Sequence, residues 1–459
     1  MSLEQIPSTT PTTQSNTNTN TTNDYTPSRT KLYKNTDSIN WNYTTEFTND
    51  NYNQMKDASF RFHKSLPDYL PTPLVRIPFN INSDNTSTTT TSTSPYSDKD
   101  IEVYVKMETS RFNLPSFKML GTGWGIFKIL CLKFGLDYTV ASFTDLKTKI
   151  SNTTATAQSP LTLLACTDGN HGRAVARMAA MLGLPSLIIV PRNVLDTEVA
   201  KIESEPGCTV QRVQGNYDFA VEYCDLLCGY SESLSNAAET GNGEMNFGGN
   251  GYVWVQDFGT ENYTEVPVWI AEGYSTICRE LPSDPDLIVV PCGSGCLPHG
   301  ITAYFRDSNS KTHVMLAEPF TAHCVNKSLS LASASSDSGT SMTIMDGLNC
   351  PTVSFVAWPV LRDGVSFSGL VGELDVVEAV LKLKEEAGLD VGPCGGVSFA
   401  ALMNFVSGKD DGQGGLLKEL KDLKMRNGDD GPVRVVLLAT EAGREFSLRE
   451  EGELLKSRL

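Results

Sequence analysis

A chain of 459 residues is long enough for two or three domains, and its 40% hydrophobic content is sufficient for a large buried core. Its formal net charge of −17 argues against a surface for nucleic acid and against docking on anionic lipid. No apolar run approaches the roughly 20 residues that a membrane-spanning helix needs, so no membrane partner is expected. The five histidines show no metal-ligand spacing, and no protein-bound metal is predicted.

The cysteine content indicates a reducing compartment. The eleven cysteines, an odd number, are scattered without a C-x-x-C pair, which is untypical of a secreted disulfide framework. The N-terminal segment is rich in Ser, Thr and Asn and lacks the apolar stretch of a signal peptide. A cytoplasmic location is therefore expected. The alternative is a peroxisomal location, because the last residues, Ser457-Arg458-Leu459, are similar to the S-K-L address.

Short apolar strands and helix-length segments alternate after a polar N-terminal tail. The tail and several polar insertions are predicted to be disordered or irregular, at 1–30, 82–98, 145–159, 229–250 and 407–431. Strands are predicted at 101–106, 161–166, 187–190, 208–213, 252–255, 287–290, 312–317 and 433–439. Helices are predicted at 119–134, 171–183, 217–228, 265–281, 296–306, 371–387 and 395–406. This alternation predicts an α/β fold with parallel sheets covered by helices, in which ligands bind beyond the carboxyl ends of the strands.

The first polar turn after a strand contains a lysine in an apolar setting. Lys118 stands in the run Ser116-Phe117-Lys118, shortly after Arg111, and Gly121 follows it closely. Burial among apolar neighbours lowers the pKa of a lysine, and the neutral amine can then form a Schiff base. A solvated lysine at a helix start is the simpler interpretation of this turn taken alone.

Two further turns carry groups that suit a cofactor. The turn 167–173 contains glycines and Asn170, whose amide can bind a ring hydroxyl or a carboxylate, although such residues also cap helices. The turn 291–297 leads from a strand into a helix, so its N–H groups form an anion site suited to a phosphate. It lacks the G-x-G-x-x-G spacing of dinucleotide folds and the Lys-Ser/Thr end of a P-loop, which argues against nicotinamide and ATP chemistry.

Together these turns resemble the fold-type II pyridoxal-phosphate enzymes, the tryptophan-synthase-β-like group. The particular resemblance is to the diaminopropionate ammonia-lyases, which share four runs: R-F-x-L-x-x-F-K-x-L-G, T-D-G-N-H-G-R, V-Q-D and Y-T-x-x-P-x-W-I-x-x-G-Y. This chain carries them at 111–121, 167–173, 255–257 and 263–274. The long run through Trp269 makes the resemblance specific.

The resemblance implies a two-domain architecture with pyridoxal 5'-phosphate in the cleft between the domains. The large cofactor domain would comprise residues 31–118 and 257–459, and the smaller, mobile domain would comprise residues 119–256. Fold-type II enzymes are usually dimers, so a homodimer is expected by analogy.

The resemblance also implies the roles of individual residues. Lys118 would hold the cofactor and exchange protons with the substrate, Asp168 would be the base toward a D-substrate, and Asp257 would position the substrate amine or the leaving amine. Asn170 would hold the 3-hydroxyl of the cofactor, and Thr440 would meet its pyridine nitrogen. The phosphate would be bound by the loop of Gly293, Ser294, Gly295, Cys296 and Leu297.

The implied function is a pyridoxal-phosphate-dependent α,β-elimination that converts 2,3-diaminopropionate, a small amino-acid substrate, into pyruvate and ammonia. The alternative is a serine/threonine dehydratase or another β-eliminating lyase, although those relatives usually have a neutral Ser where Asp168 stands. A third hypothesis is a non-catalytic protein of the same fold. It arises because Leu297-Pro298-His299 is bulky where the family's phosphate loop has small residues.

Overall fold

The computed structural model describes residues 28–29, 31–48, 50–79, 100–154, 161–167, 169–230, 250–336, 343–406 and 415–443. The strands in this part of the chain are β1 (Tyr33–Lys34), β2 (Leu74–Ile77), β3 (Ile101–Met107), β4 (Thr162–Cys166), β5 (Ser186–Val190), β6 (Cys208–Arg212), β7 (Tyr252–Trp254), β8 (Leu287–Pro291), β9 (His313–Pro319), β10 (Phe367–Val371) and β11 (Val433–Ala439).

The α-helices between and around these strands cover both sheets. They are α1 (Tyr52–Ser65), α2 (Lys118–Phe134), α3 (Phe143–Thr154), α4 (Asn170–Leu182), α5 (Asp196–Glu203), α6 (Tyr217–Cys228), α7 (Glu265–Gly273), α8 (Ser275–Arg279), α9 (Cys296–Asp307), α10 (Cys324–Leu331), α11 (Trp358–Gly364), α12 (Glu373–Ala387), α13 (Pro393–Val406) and α14 (Gly415–Arg426). No helix of the described residues is long and apolar enough to cross a membrane.

The strands form two sheets. The larger has the order β1-β10-β9-β8-β11-β3-β2, and the smaller has the order β6-β5-β4-β7. The smaller sheet is wholly parallel, whereas the larger has a parallel centre with short antiparallel strands, β1 and β2, at its edges. Its central strand β8 is buried on both faces, which explains the unbroken apolar run in its sequence.

Helix α2 packs closely against α7. A Cβ on Gly121 would lie 2.6 Å from both the Ile270 carbonyl oxygen and the Tyr274 ring, and a Cβ on Gly125 would lie 2.9 Å from Ile270 Cγ1. Only glycine permits this approach of the two helices. Because Lys118 is the first residue of α2, this packing fixes the position of the lysine relative to α7.

Two segments that the sequence predicts as irregular insertions form helices. Helix α3 occupies most of 145–159, with Leu146 and Ile150 buried, and α14 occupies much of 407–431, with Leu416 and Leu420 buried. In both segments the polar composition conceals apolar residues at helical spacing, and burial of that stripe drives helix formation. Those predictions were therefore wrong for 145–154 and 415–426.

The alternation of apolar and polar segments also failed to predict several short or polar elements. The segment 265–281 forms two helices, α7 and α8, which are separated at Tyr274. Strand β10 was not predicted because Ser368 and Gly369 interrupt its apolar character, yet it is fully buried and the Phe405 ring packs over Gly369. The remaining strands and α-helices that were not predicted are β1, β2, α1, α5, α10 and α11.

Several predicted features lie outside the described residues. These are 1–27, the insertion at 82–98, residues 155–159, most of 229–250, residues 407–414 and the C-terminal tripeptide. At the end of the predicted tail Arg29 is ordered, with its guanidinium 4.6 Å from the centroid of the Phe320 ring. The limits of the two domains remain a prediction, although the strands of the smaller sheet all come from within 119–256.

A cluster of four buried charges lies between the end of β3 and α8. The Arg111 guanidinium donates to Glu108 at 2.6 and 2.9 Å and to Glu280 at 2.7 and 2.8 Å, and Lys106 Nζ donates to Glu280 Oε2 at 2.5 Å. These side chains are at most 1% exposed. Two cations and two carboxylates therefore neutralise each other in a buried position, where a single unpaired charge would be strongly destabilising.

The charge cluster holds the turn that leads to the lysine. Residues 111–113 form a short 3-10 helix in which Phe112 and Asn113 have left-handed backbones, with φ of 53° and 60°. Non-glycine residues adopt this conformation only where the surroundings hold them there. Arg111, fixed on both sides by carboxylates, is the residue that anchors the turn.

We expect Arg111→Met to lower the free energy of unfolding by about 3–5 kcal/mol, because it leaves Glu108 and Glu280 buried without a full partner. Urea denaturation of the cofactor-free protein measures this loss. Arg76→Met is the matched control, since Arg76 is 59% exposed in its pair with Glu102 and its loss should cost under about 1 kcal/mol. Equal losses in the two variants would contradict the anchoring role of Arg111.

Candidate active site

Lys118 and Asp257 meet between the two sheets. Lys118 begins α2, which follows the β3 turn, and Asp257 follows β7 of the smaller sheet. Lys118 Nζ donates to Asp257 Oδ2 at 2.5 Å, although the two residues are 139 positions apart. The lysine side chain is 24% exposed and the aspartate side chain 12%, so the pair is largely buried but still reached by solvent. Two of the predicted catalytic residues are thus in direct contact.

The charge state of this pair differs from the sequence-based expectation. Burial by itself lowers the pKa of the Lys118 amine, as predicted, but the Asp257 carboxylate outweighs burial and raises this pKa above its ordinary value. Burial by itself raises the pKa of Asp257, but His171 and Lys118 outweigh it and hold the pKa well below its usual range. The expectation of a lowered lysine pKa was wrong because it did not include Asp257.

His171 lies close to Asp257. Its Nε2 lies 2.9 Å from the Val255 carbonyl oxygen, which can only accept, so Nε2 carries the hydrogen. Nδ1 then accepts from the Thr122 hydroxyl at 3.3 Å and lies 3.7 Å from Asp257 Oδ2. Burial lowers the pKa of His171, so at neutral pH Lys118 supplies the positive charge beside Asp257. The sequence contains His171 in the same turn as Asn170, but its role was not predicted.

Asn170 and Thr440 lie at the carboxyl ends of strands from different sheets. Asn170 begins α4, and its Nδ2 donates to Glu441 Oε2 at 3.4 Å. Thr440 follows β11, and its hydroxyl donates to the Cys394 carbonyl oxygen at 3.2 Å. Asp168 lies outside the described residues. Glu441 was not predicted as a site residue, although its place directly after Thr440 was a usable signal.

The predicted phosphate loop connects β8 to α9. Gly295 has φ of 101°, a conformation suited to glycine, and α9 begins at Cys296. A Cβ on Gly293 would lie 3.0 Å from Cys350 Sγ, so the loop is tightly packed there as well. The N–H groups in the first turn of α9 have no acceptor within the helix, and with the helix dipole they form an anion site.

Neighbouring residues hold this loop in place. The Ser354 N–H donates to the Ser294 carbonyl oxygen at 2.8 Å, and the Ser354 hydroxyl accepts from Gly259 N at 2.9 Å. Because Gly259 follows Asp257 closely, Ser354 links the phosphate loop to the segment that carries the carboxylate. The loop and Asp257 are therefore fixed relative to each other.

The bulky residues after the loop belong to the helix. Pro298 occupies the first turn of α9, where a missing N–H removes no helical hydrogen bond. His299 is buried, and its Nε2 lies 3.4 Å from the Tyr43 hydroxyl, which belongs to the segment before α1. His299 is thus directed to Tyr43, which is not one of the predicted site residues.

The buried hydroxyl of Tyr274 is available to bind a cofactor or substrate. Tyr274 is fully buried, and its hydroxyl has no hydrogen-bond partner among the residues that the structure describes. Burial raises its pKa, with Cys296 and Asp257 close enough to contribute.

A separate groove of about 540 Å³ is lined by Gly259, Phe47, Phe355 and Trp358, among others, and does not include Lys118.

The fold and these groups define a cofactor-dependent α/β enzyme with an amine and an anion site at one cleft. Residues 71–414 match the family model described as pyridoxal-phosphate dependent enzyme, so the chain belongs to this family. Its cofactor is pyridoxal phosphate. A lysine amine, a loop with free N–H groups at a helix start and a side-chain amide are the kinds of group that can hold this aldehyde-bearing phosphate ester.

Particular relatives are diaminopropionate ammonia-lyases. The Escherichia coli K12 protein is 29% identical over 313 residues, which cover 66% of this chain and 68% of the relative. The Salmonella typhimurium protein is 26% identical over 415 residues, which cover 85% and 89%. The resemblance predicted from the sequence is thereby confirmed.

Solved structures share the fold. A holo diaminopropionate ammonia-lyase from Escherichia coli superposes with a TM-score of 0.65 at 23% identity, covering 94% of this chain and 97% of that one. Maize serine racemase superposes with a TM-score of 0.60 at 18% identity, covering 90% and 99%. The predicted two-domain fold-type II architecture is confirmed.

We expect Asp257→Asn to lower the pKa of Lys118, because burial then acts without the opposing carboxylate. The rate at which cofactor-free protein takes up pyridoxal phosphate should consequently begin to rise at lower pH than in the wild type. Absorbance of the lysine-bound cofactor measures this rate. Lys118→Ala should take up none in this form. An unchanged pH dependence in Asp257→Asn would mean that Asp257 does not set the charge of Lys118.

Proposed function

We propose that this protein is a pyridoxal-phosphate-dependent α,β-eliminating lyase whose substrate is 2,3-diaminopropionate and whose products are pyruvate and ammonia. The observation that carries the proposal is the contact of Lys118 Nζ with Asp257 Oδ2 at 2.5 Å. Elimination requires one group that exchanges the α-proton and another that holds the departing amine in its protonated form. The Escherichia coli and Salmonella relatives support the same substrate.

The cofactor, when bound, supplies an electron sink for the substrate α-carbon. The chain's own residues supply the protons and the orientation. Lys118 Nζ would take and return the proton at the substrate α-carbon, and Asp257 Oδ2 would hold the charge of the amine that binds or leaves. Asp168 is proposed as the base toward a D-substrate.

The remaining residues orient the cofactor. Asn170 is proposed to meet its 3-hydroxyl and Thr440 its pyridine nitrogen. A hydroxyl opposite the nitrogen leaves that nitrogen unprotonated, which suits elimination better than transamination. The phosphate is proposed to be bound by Gly293, Ser294, Gly295, Cys296 and Leu297, where the loop amides and the start of α9 favour an anion.

A serine/threonine dehydratase is the second candidate. A bovine L-serine dehydratase/L-threonine deaminase is 27% identical over 266 residues, which cover 56% of this chain and 71% of the relative. With those substrates the leaving group is hydroxide rather than an amine. The acidic residues Asp168 and Asp257 favour the amine, because a carboxylate pairs with an ammonium group.

The test is release of 2-oxo acid by the purified protein with pyridoxal phosphate, offered D-diaminopropionate, L-diaminopropionate, serine and threonine separately. Pyruvate from diaminopropionate is the expected result, and Lys118→Ala should abolish it because the amine that carries the cofactor is lost. Lys311→Ala, at an exposed position, is the matched control and should retain activity. Product from serine or threonine alone would assign the protein to the dehydratases.

The homodimer expected by analogy remains a proposal, and sedimentation of the holoprotein measures it. A cytoplasmic location is likewise proposed. The bacterial relatives give no support to the peroxisomal alternative based on Ser457-Arg458-Leu459, which lies outside the described residues.

A further inference from the structure

Glu441 places a carboxylate beside Asn170. Glu441 follows Thr440 at the carboxyl end of β11, and the residue is 6% exposed. Its Oε1 accepts from the Cys394 N–H at 3.2 Å, and its Oε2 accepts from Asn170 Nδ2 at 3.4 Å. The carboxylate therefore spans from the start of α13 to the start of α4 and joins the two sheets across the cleft.

The chemistry of this contact fixes the orientation of the Asn170 amide. Both side-chain oxygens of Glu441 accept hydrogen bonds in this arrangement, so the amide presents its NH₂ group and not its oxygen to Glu441. The amide oxygen and the second N–H are then directed to other partners in a defined geometry. An asparagine without such a neighbour has two amide orientations that differ by exchange of oxygen and nitrogen.

The backbone around Glu441 gives the carboxylate a fixed position. The Gly392 N–H donates to the Glu441 carbonyl oxygen at 3.0 Å, and the Ala442 N–H donates to the Pro115 carbonyl oxygen at 2.9 Å. A Cβ on Gly392 would lie 2.7 Å from Glu441 Oε1, so glycine leaves the space that the carboxylate occupies. This segment also adjoins Phe117, whose N–H lies 3.4 Å from the Thr440 carbonyl oxygen, directly before the lysine.

We propose that Glu441 is a positioning residue that orients the Asn170 amide toward the ring oxygen of the bound cofactor. Glu441 acts through Asn170 and does not itself contact the amino-acid substrate. The inference rests on the cofactor role proposed for Asn170. It is independent of which amino acid the protein cleaves.

The test is cofactor binding by Glu441→Gln in the absence of any amino acid. Glutamine keeps the size of the side chain, but it can donate as well as accept, so the Asn170 amide is no longer held in one orientation. We expect pyridoxal phosphate to bind about tenfold more weakly, because one charge-assisted hydrogen bond is lost. The pH at which the visible absorption of the lysine-bound cofactor changes should also shift. Glu441→Asp, which keeps the charge and shortens the reach, should show a smaller loss.

A double-mutant cycle separates positioning from a general effect on the fold. In an Asn170→Ala background Glu441→Gln should change neither the dissociation constant nor the pH dependence of the absorption further. Glu378→Gln, on a 62% exposed side chain, is the matched control and should bind the cofactor as the wild type does. Urea unfolding of the cofactor-free variants checks that each remains folded.

Two outcomes would overturn the proposal. One is an unchanged affinity and spectrum in Glu441→Gln, and the other is an equal loss with and without Asn170. A failure to release pyruvate from diaminopropionate would not affect it, since no substrate is present in these measurements. The positioning role and the proposed lyase activity can therefore fail separately.

Discussion

The buried ion network around Arg111 is the constraint on which the position of Lys118 depends. Arg111 binds Glu108 after β3 and Glu280 at the end of α8, so it ties the strand that precedes the lysine turn to the helices that pack on α2. Each of these charges alone would be costly to bury, and they are tolerated only as a set. This network holds the left-handed turn at Phe112. Because Lys118 begins the next helix, the network also fixes the position of the lysine.

The chemistry of the cleft comes from contacts between loops of different sheets. Lys118 follows the larger sheet and meets Asp257 of the smaller one, and Asn170 of the smaller sheet meets Glu441 of the larger. Neither sheet by itself carries a complete site. The Lys118–Asp257 and Asn170–Glu441 contacts are thus both products of how the two sheets are brought together. The site therefore depends on the geometry between the sheets more than on any single residue.

Much of this could be predicted, and the failures have physical reasons. Parallel strands buried on both faces, such as β8, produce apolar runs that are visible in the sequence, whereas β10 conceals its burial behind Ser368 and Gly369. The motifs assigned Lys118 and Asp257 to one site, but their contact and its effect on the lysine pKa follow only from the 2.5 Å distance in the folded chain. Glu441 escaped prediction because its partner, Asn170, is remote in sequence and adjacent only after folding.

The short strands at the rims of the larger sheet have a consequence for self-association. The outer strand β1 is two residues long and β2 is four, and both run against the direction of the parallel strands that they border. Each therefore offers few free backbone groups to a strand from another molecule. Edge-to-edge pairing of copies through these two strands is therefore disfavoured. The long apolar strands inside the larger sheet are in this way protected from the aggregation that their composition would otherwise promote.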